Sequence, residues 1–162
     1  MRRRTWYLLG AAAALAVVAG AFALPYFLPE EGRTVREDAP IAVVGTEVLG
    51  QGSFRGEAGH HVSGTVKLLL VDGVAYLRFE NYSQTQGPDV YVYLTPSAMP
   101  DTNEEVQAGV RILLDGGAGA GESTQEGDFN QRLPDGLDLA SFRGVAVWCD
   151  RFNVPFGYAT LG

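Results

Sequence analysis

An all-β domain, a β-sandwich or a small barrel-like fold, preceded by one N-terminal transmembrane helix, is the architecture this sequence predicts. Three observations carry it. Several short runs alternate apolar and polar residues with the period of a strand. Turn signals rich in Gly, Pro, Asp and Asn separate those runs. One unbroken apolar run, Trp6 to Leu28, comes directly after Arg2, Arg3 and Arg4.

The apolar run is long enough to cross a bilayer, which takes roughly 20 residues. The three arginines hold the N-terminus on the cytoplasmic side, so the chain beyond Glu30 is expected to be exported. The small-x-small pattern Ala21-Phe22-Ala23 offers a signal-peptidase cut after Ala23. The apolar character continues through Leu24, Tyr26, Phe27 and Leu28, which favours an uncleaved signal anchor over residues 1–29. No cysteine lies near the segment, which argues against a lipoprotein. The charged, proline-bounded stretch EEGRTVREDAP, Glu30 to Pro40, reads as a linker that ends near residue 45. Residues 46–162 then form one domain, large enough to bury a core without disulfides.

Within that domain, Val62, Val66, Leu68 and Leu70 alternate with Ser63, Thr65 and Lys67. Asp72-Gly73 comes next, a strong hairpin signal. The return run from Val74 to Tyr82 sets Leu77 and Phe79 against Arg78 and Glu80. Val90 to Thr95 sets valines and Leu94 against Tyr91 and Tyr93. Val110 to Leu114 is a short apolar strand. The glycine-rich run from Gly116 to Asp128 reads as a flexible loop, and a short helix fits within Leu137 to Phe142. Gly144 to Cys149 places Val145, Val147 and Cys149 on one side of the pleat and Ala146 and Trp148 on the other. Pro155 to Leu161 closes the chain, with Phe156 and Tyr158 opposite Gly157, Ala159 and Leu161. No stretch beyond the apolar run has a helical period.

Charge excludes one class of partner. Beyond Pro29 the chain holds 9 basic and 19 acidic residues, a formal charge of −10. No basic stripe is present to neutralise phosphates, so nucleic acid is not the expected partner. Hydrolytic and nucleotide signatures are missing too. There is no G-x-S-x-G elbow and no His–Glu metalloprotease helix, and the glycine-rich run lacks the Lys and Ser or Thr of a phosphate loop. Glu104-Glu105 reads as a solvated pair in a polar loop.

Three residues carry the candidate chemistry. Cys149, the single cysteine, cannot form an internal disulfide, and an exported thiol is normally oxidised or bridged. It reads either as a small core residue or as a redox thiol or soft-metal ligand, which needs a positive neighbour or hydrogen bonds to the sulfur. Arg151 shares its face only if the strand continues past Asp150. His61, beside the Val62 strand, is the better placed of the two histidines. One histidine and one cysteine do not close a structural zinc site, although haem or copper can use so few protein ligands. Asp89, in Gly87-Pro88-Asp89, reads as a turn residue or as a carboxylate at the sheet rim, where Asn81 and Tyr82 could frame it.

The region from about Gly50 to Leu161 resembles the DM13 domain. The resemblance lies in GSF at Gly52 to Phe54, HVSGTV at His61 to Val66 and LRFENY at Leu77 to Tyr82. It continues through GPDVYVYL at Gly87 to Leu94, NQRLP at Asn130 to Pro134 and VAVWCDRFNVPFGYATL at Val145 to Leu161. The resemblance implies an extracellular β-rich module. In animals such modules accompany DOMON-type haem-binding domains, and electron transfer or oxidative modification centred on a near-invariant cysteine has been proposed for them. That cysteine corresponds to Cys149. No second domain supplies haem here, so the electron partner is expected to be a separate envelope redox or surface protein. The expected function is a membrane-anchored, exported module that handles electrons through Cys149, with His61 and Asp89 supporting. The competing expectation is a binding or adhesion module without chemistry.

Overall fold

The computed structural model describes residues 16–18, 20, 33–41 and 45–162. Most of the apolar run at residues 6–28, with the cleavage position at Ala23, lies outside them. Among the described residues no helix is long and apolar enough to cross a membrane.

Among the described residues ten strands form two five-stranded sheets. The first sheet contains β1 (Thr34–Glu37), β2 (Thr46–Ser53), β4 (Val62–Val71), β5 (Val74–Gln84) and β8 (Gln125–Arg132). Its spatial order is β1-β8-β5-β4-β2. The second contains β3 (Arg55–Gly56), β6 (Val90–Thr95), β7 (Val110–Ile112), β9 (Gly144–Cys149) and β10 (Val154–Thr160), in the order β3-β10-β9-β6-β7. One core cluster joins residues of both sheets, among them Val66, Leu77, Phe79 and Phe129 from the first and Val92, Leu94, Val145 and Val147 from the second. The arrangement is a β-sandwich, and the barrel alternative is not realised.

The strand assignments follow from local chemistry. Asp72 and Gly73 both take positive φ, 50° and 80°, and Val71 pairs with Val74. Two successive left-handed residues match the twist of a hairpin, which is why Asp-Gly is favoured there. β6 and β9 lie inside the second sheet and are buried along their whole length. Their alternation separates two apolar environments: Val90, Val92 and Leu94 share one side of β6 and Val145, Val147 and Cys149 one side of β9, as the pattern predicts, and both sides face the sandwich core. On the outer face Tyr91, Tyr93, Ala146 and Trp148 form a second cluster with Val106.

Val106 belongs to a helix that periodicity did not reveal, α1 (Asn103–Gln107). Glu104 and Glu105 therefore lie on its first turn and not in a loop. Thr102 caps the helix, accepting from the Glu105 backbone N–H, and its hydroxyl donates back to the Glu105 carboxylate at 2.9 Å. The T-x-x-E spacing is a capping box, and the helix is too short to show a period.

Three further expectations are corrected. The run from Gly116 to Asp128 is not a loose loop, since β8 begins at Gln125 and residues 121–126 are buried. Ser123 is satisfied internally: its N–H donates to Val90 O at 2.7 Å, and the Gln84 amide donates to its carbonyl. Buried polar groups are tolerated when so paired. A tight turn through Gly119, Ala120 and Gly121, all at positive φ, returns the chain to the sheet. Second, part of the stretch read as linker is β1, which pairs in parallel with β8 from Thr34↔Gln125 to Glu37↔Asp128. Third, Phe156 does not share a face with Tyr158. Pro155 pairs with Trp148 and Gly157 with Val147, so Phe156 is the extra residue of a β-bulge and turns into the core with Ala159 and Leu161.

Candidate functional site

Cys149 ends β9 at one end of the sandwich, paired across to Val90 and Val154. The strand stops there, and Asp150 to Asn153 form the turn into β10. The Cys149 side chain belongs to the core cluster and the residue is 1 % exposed. Phe152, in the adjoining turn, is 47 % exposed.

The polar contacts of the sulfur are with backbone. The thiol donates to Pro88 O at 3.2 Å, while the backbone N–H groups of Arg151 and Phe152 are directed at the sulfur. Burial pushes the thiol pKa up and outweighs those two donors; the Asp89 charge adds to the rise and Arg151 opposes it. The resting group is a neutral thiol at neutral pH.

Asp89 has positive φ, 53°, and its carboxylate takes the Arg151 guanidinium at 2.5 Å. Asp89 is thus a turn residue, and its carboxylate ties down the Asp150–Asn153 turn through Arg151. Arg151 reaches the site from the turn and not along a continued strand. The next anchor is Asp150, which accepts from Tyr93 Oη at 2.7 and 2.8 Å and pairs with Arg111 at 3.3 Å.

His61 is exposed and meets Thr85 through its backbone N–H and C=O. The histidine tied to this end of the fold is His60, whose ring stacks on Phe156 at 3.7 Å. Phe156 in turn crowds Gly87, where a Cβ would lie 2.9 Å from the ring, so only glycine fits beside it. Asn81 and Tyr82 do not frame a rim with Asp89. Asn81 sits at a bulge in β5, and Tyr82 is a core residue whose hydroxyl donates to Gln84.

Among the described residues no three His, Cys, Asp or Glu side chains converge to hold a metal ion. The sulfur's polar partners are backbone groups, so the residues at Cys149 do not fit a protein-held haem or copper. Pro88, Asp150, Tyr93 and His60 were not singled out in the sequence. The alternation that set Tyr93 against the valines of its strand, and the Asp-Arg directly after Cys149, were the usable signals for two of them.

Trp148 fills the outer face opposite Tyr91, with its indole N–H buried and without an acceptor. Trp148→Phe removes that unpaired donor while keeping an aromatic ring. The relief offsets much of the lost packing, and the expected change in unfolding free energy is below about 1.5 kcal/mol by urea denaturation. A loss well above that would mean the N–H has a partner.

The geometry defines a two-sheet β-sandwich with one occluded thiol beneath a turn pinned by ion pairs. Residues 53–161 match the family described as Electron transfer DM13, and the chain belongs to that family. β1 and nearly all of β2 lie before the matched residues yet complete the first sheet. No curated protein and no solved structure matches the chain.

Proposed function

We propose that this DM13 protein is a membrane-anchored, exported electron-transfer module whose redox group is the Cys149 thiol. One observation carries the reading beyond the family match. The sulfur has an acceptor for its proton, Pro88 O, and two backbone donors that remain aimed at it once the proton leaves. A core cysteine serving as filler needs neither. Electron loss from a thiol releases a proton, which a backbone carbonyl orients but cannot keep. In this reading proton and partner pass the Asp150–Asn153 turn, whose backbone touches the sulfur, and Asp89 supports the site by holding Arg151. No contact gives His61 a comparable part.

Anchoring through residues 6–28, a cytoplasmic N-terminus and an extracytoplasmic domain rest on the arginines and the apolar run after them. Cleavage near Ala23 would release the same domain. The electron partner in this reading is a separate envelope redox or surface protein.

Native-state reaction with a thiol reagent tests the site. Wild-type Cys149 should react slowly in buffer, and Arg151→Ala, which frees the turn, should raise the rate roughly tenfold, the equivalent of about 1.4 kcal/mol. If both proteins react only through global unfolding, at rates that track their overall stability, the sulfur is filler. The second reading, a binding module without chemistry, draws on the 1 % exposure of Cys149. Under it, Cys149→Ala keeps all partner binding and the domain has no redox activity to lose.

A further inference from the structure

A second redox-capable group lies on the other face of the same sheet. Tyr93 is 3 % exposed, in the outer cluster with Tyr91, Val106, Ala146 and Trp148. Its phenol lies 2.7 and 2.8 Å from the two oxygens of Asp150, and Gln107 Nε2 donates to the same hydroxyl at 3.4 Å. The other contacts made by tyrosine hydroxyls among the described residues have no base in them. Tyr91 donates to the Gly119 carbonyl at 3.4 Å, and Tyr82 donates to the Gln84 amide, with Ser123 Oγ at 3.3 Å. An amide or peptide oxygen accepts a hydrogen bond but is too weak a base to take the proton of an oxidised phenol, whereas a carboxylate is basic enough to take it.

That difference decides which phenol can be oxidised most readily. A tyrosine that loses an electron becomes a strong acid, and the step is far easier when a base already holds the hydrogen bond. We propose that Tyr93 and Asp150 form a proton-coupled redox pair that takes up one oxidising equivalent from a strong one-electron oxidant, a peroxyl radical or a high-valent metal centre. One electron passes from Tyr93 to the oxidant. The phenolic O–H bond breaks as an O–H bond forms on Asp150, leaving a neutral tyrosyl radical and a protonated carboxyl. Return of one electron sends the proton back.

The surroundings suit this step. The ring is enclosed, which keeps the radical from coupling with other molecules. The Asp150 side chain is 26 % exposed, so its proton exchanges with solvent. Arg111 pairs with Asp150 and lies 4.5 Å over the Tyr91 ring, a cation–π contact that disfavours a positive charge on Tyr91. Burial and the hydrogen bond to Asp150 push the Tyr93 phenol up to about 12, so it rests protonated. Tyr93 and Cys149 belong to opposite faces of the sheet, and the pair does not depend on the sulfur reading.

The purified full-length chain is photo-oxidised with tris(bipyridine)ruthenium and a cobalt(III) sacrificial acceptor. It is frozen after a delay long enough for exposed radicals to couple, then read by electron paramagnetic resonance. The expected result is a persistent tyrosyl signal in wild type and in Cys149→Ser, lost in Tyr93→Phe and in Asp150→Asn. In wild type exchanged into heavy water, the radical should show coupling to one exchangeable deuteron at the phenolic oxygen. Any of three results overturns the pair: no persistent tyrosyl signal in wild type, a signal that survives Tyr93→Phe, or one indifferent to Asp150→Asn. A persistent signal in Cys149→Ser together with a chemically inert thiol would leave this pair standing and the sulfur reading fallen.

Discussion

Phe79→Ala should lower the unfolding free energy by about 3–5 kcal/mol, the usual cost of deleting a buried phenylalanine ring. Phe79 is fully buried in the middle of the first sheet. Its ring stacks on Phe129 with centroids 4.5 Å apart and on Phe54 at 6.0 Å, and it meets Tyr82 edge-on at 5.0 Å. Phe54 is the residue between β2 and β3, where the chain passes from one sheet to the other. Losing Phe79 therefore leaves a cavity at the junction of the two sheets, and little can collapse into it because its neighbours are strand residues held by backbone ladders. The check is a urea titration followed by Trp fluorescence and circular dichroism together. A midpoint shift equivalent to less than about 1 kcal/mol would show that the core repacks.

Arg78→Met should cost about 3 kcal/mol, the low end for removing one partner of a buried ion pair. Arg78 is 3 % exposed, which is rare for arginine and possible only with partners. One terminal nitrogen donates to Asp38 O at 2.8 Å, the other to Asp128 at 3.0 Å, and its Nε lies 3.6 Å from Glu80. Methionine keeps the stem packing but drops every donor. The estimate is low because Asp128 is 33 % exposed and keeps its contact from the Asn81 N–H at 2.8 Å. A local effect accompanies the global one. Arg78 ties Asp38 to the sheet, so the variant should become sensitive to trypsin at Arg33 and Arg36 before it unfolds. Unchanged cleavage there would mean that β1 is held by its pairing with β8 alone.

The same cluster gives acid sensitivity a definite sign. Glu80 is held below the usual carboxylate range, mainly by the hydrogen bond from Lys67, with the Lys67 and Arg78 charges adding to it. A carboxyl whose folded pKa is depressed contributes stability above its unfolded pKa. That contribution is lost as pH falls through the folded value.

Much of this was legible because strand alternation reports burial directly. The two faces of β6 and β9 could be read residue by residue, because both strands are fully enclosed by neighbours and carry no bulge. The reading failed where alternation itself breaks. The bulge at Phe156 reverses the phase of β10 after Pro155, and no local residue type announces it. The Gly116–Asp128 stretch misled for another reason: its polar side chains are buried against partners far away in sequence, such as Ser123 with Gln84. β1 was hidden because four residues of mixed charge, TVRE, make a strand only when β8 offers an open edge.

The candidate site divides along the same line. Cys149, Asp89 and Arg151 could be selected from the sequence, and so could the side of the strand that Cys149 shares with Val145 and Val147. Which histidine packs at that end, and the joining of Tyr93 to Asp150 across 57 residues, could not.

The sequence by itself determined the all-β class, the hairpin at Asp72-Gly73, the two-faced character of the central strands and a lone thiol on the same side of its strand as Val145 and Val147. Those features depend on side-chain period and local turn chemistry, which are written in neighbouring residues. Only the tertiary structure decided that the thiol is covered, that its cover is pinned by Arg151 on Asp89, and that a carboxylate awaits the Tyr93 proton. Those features depend on which strands become neighbours in space, and hydrogen bonds and ion pairs act over a few ångströms of space whatever the distance along the chain.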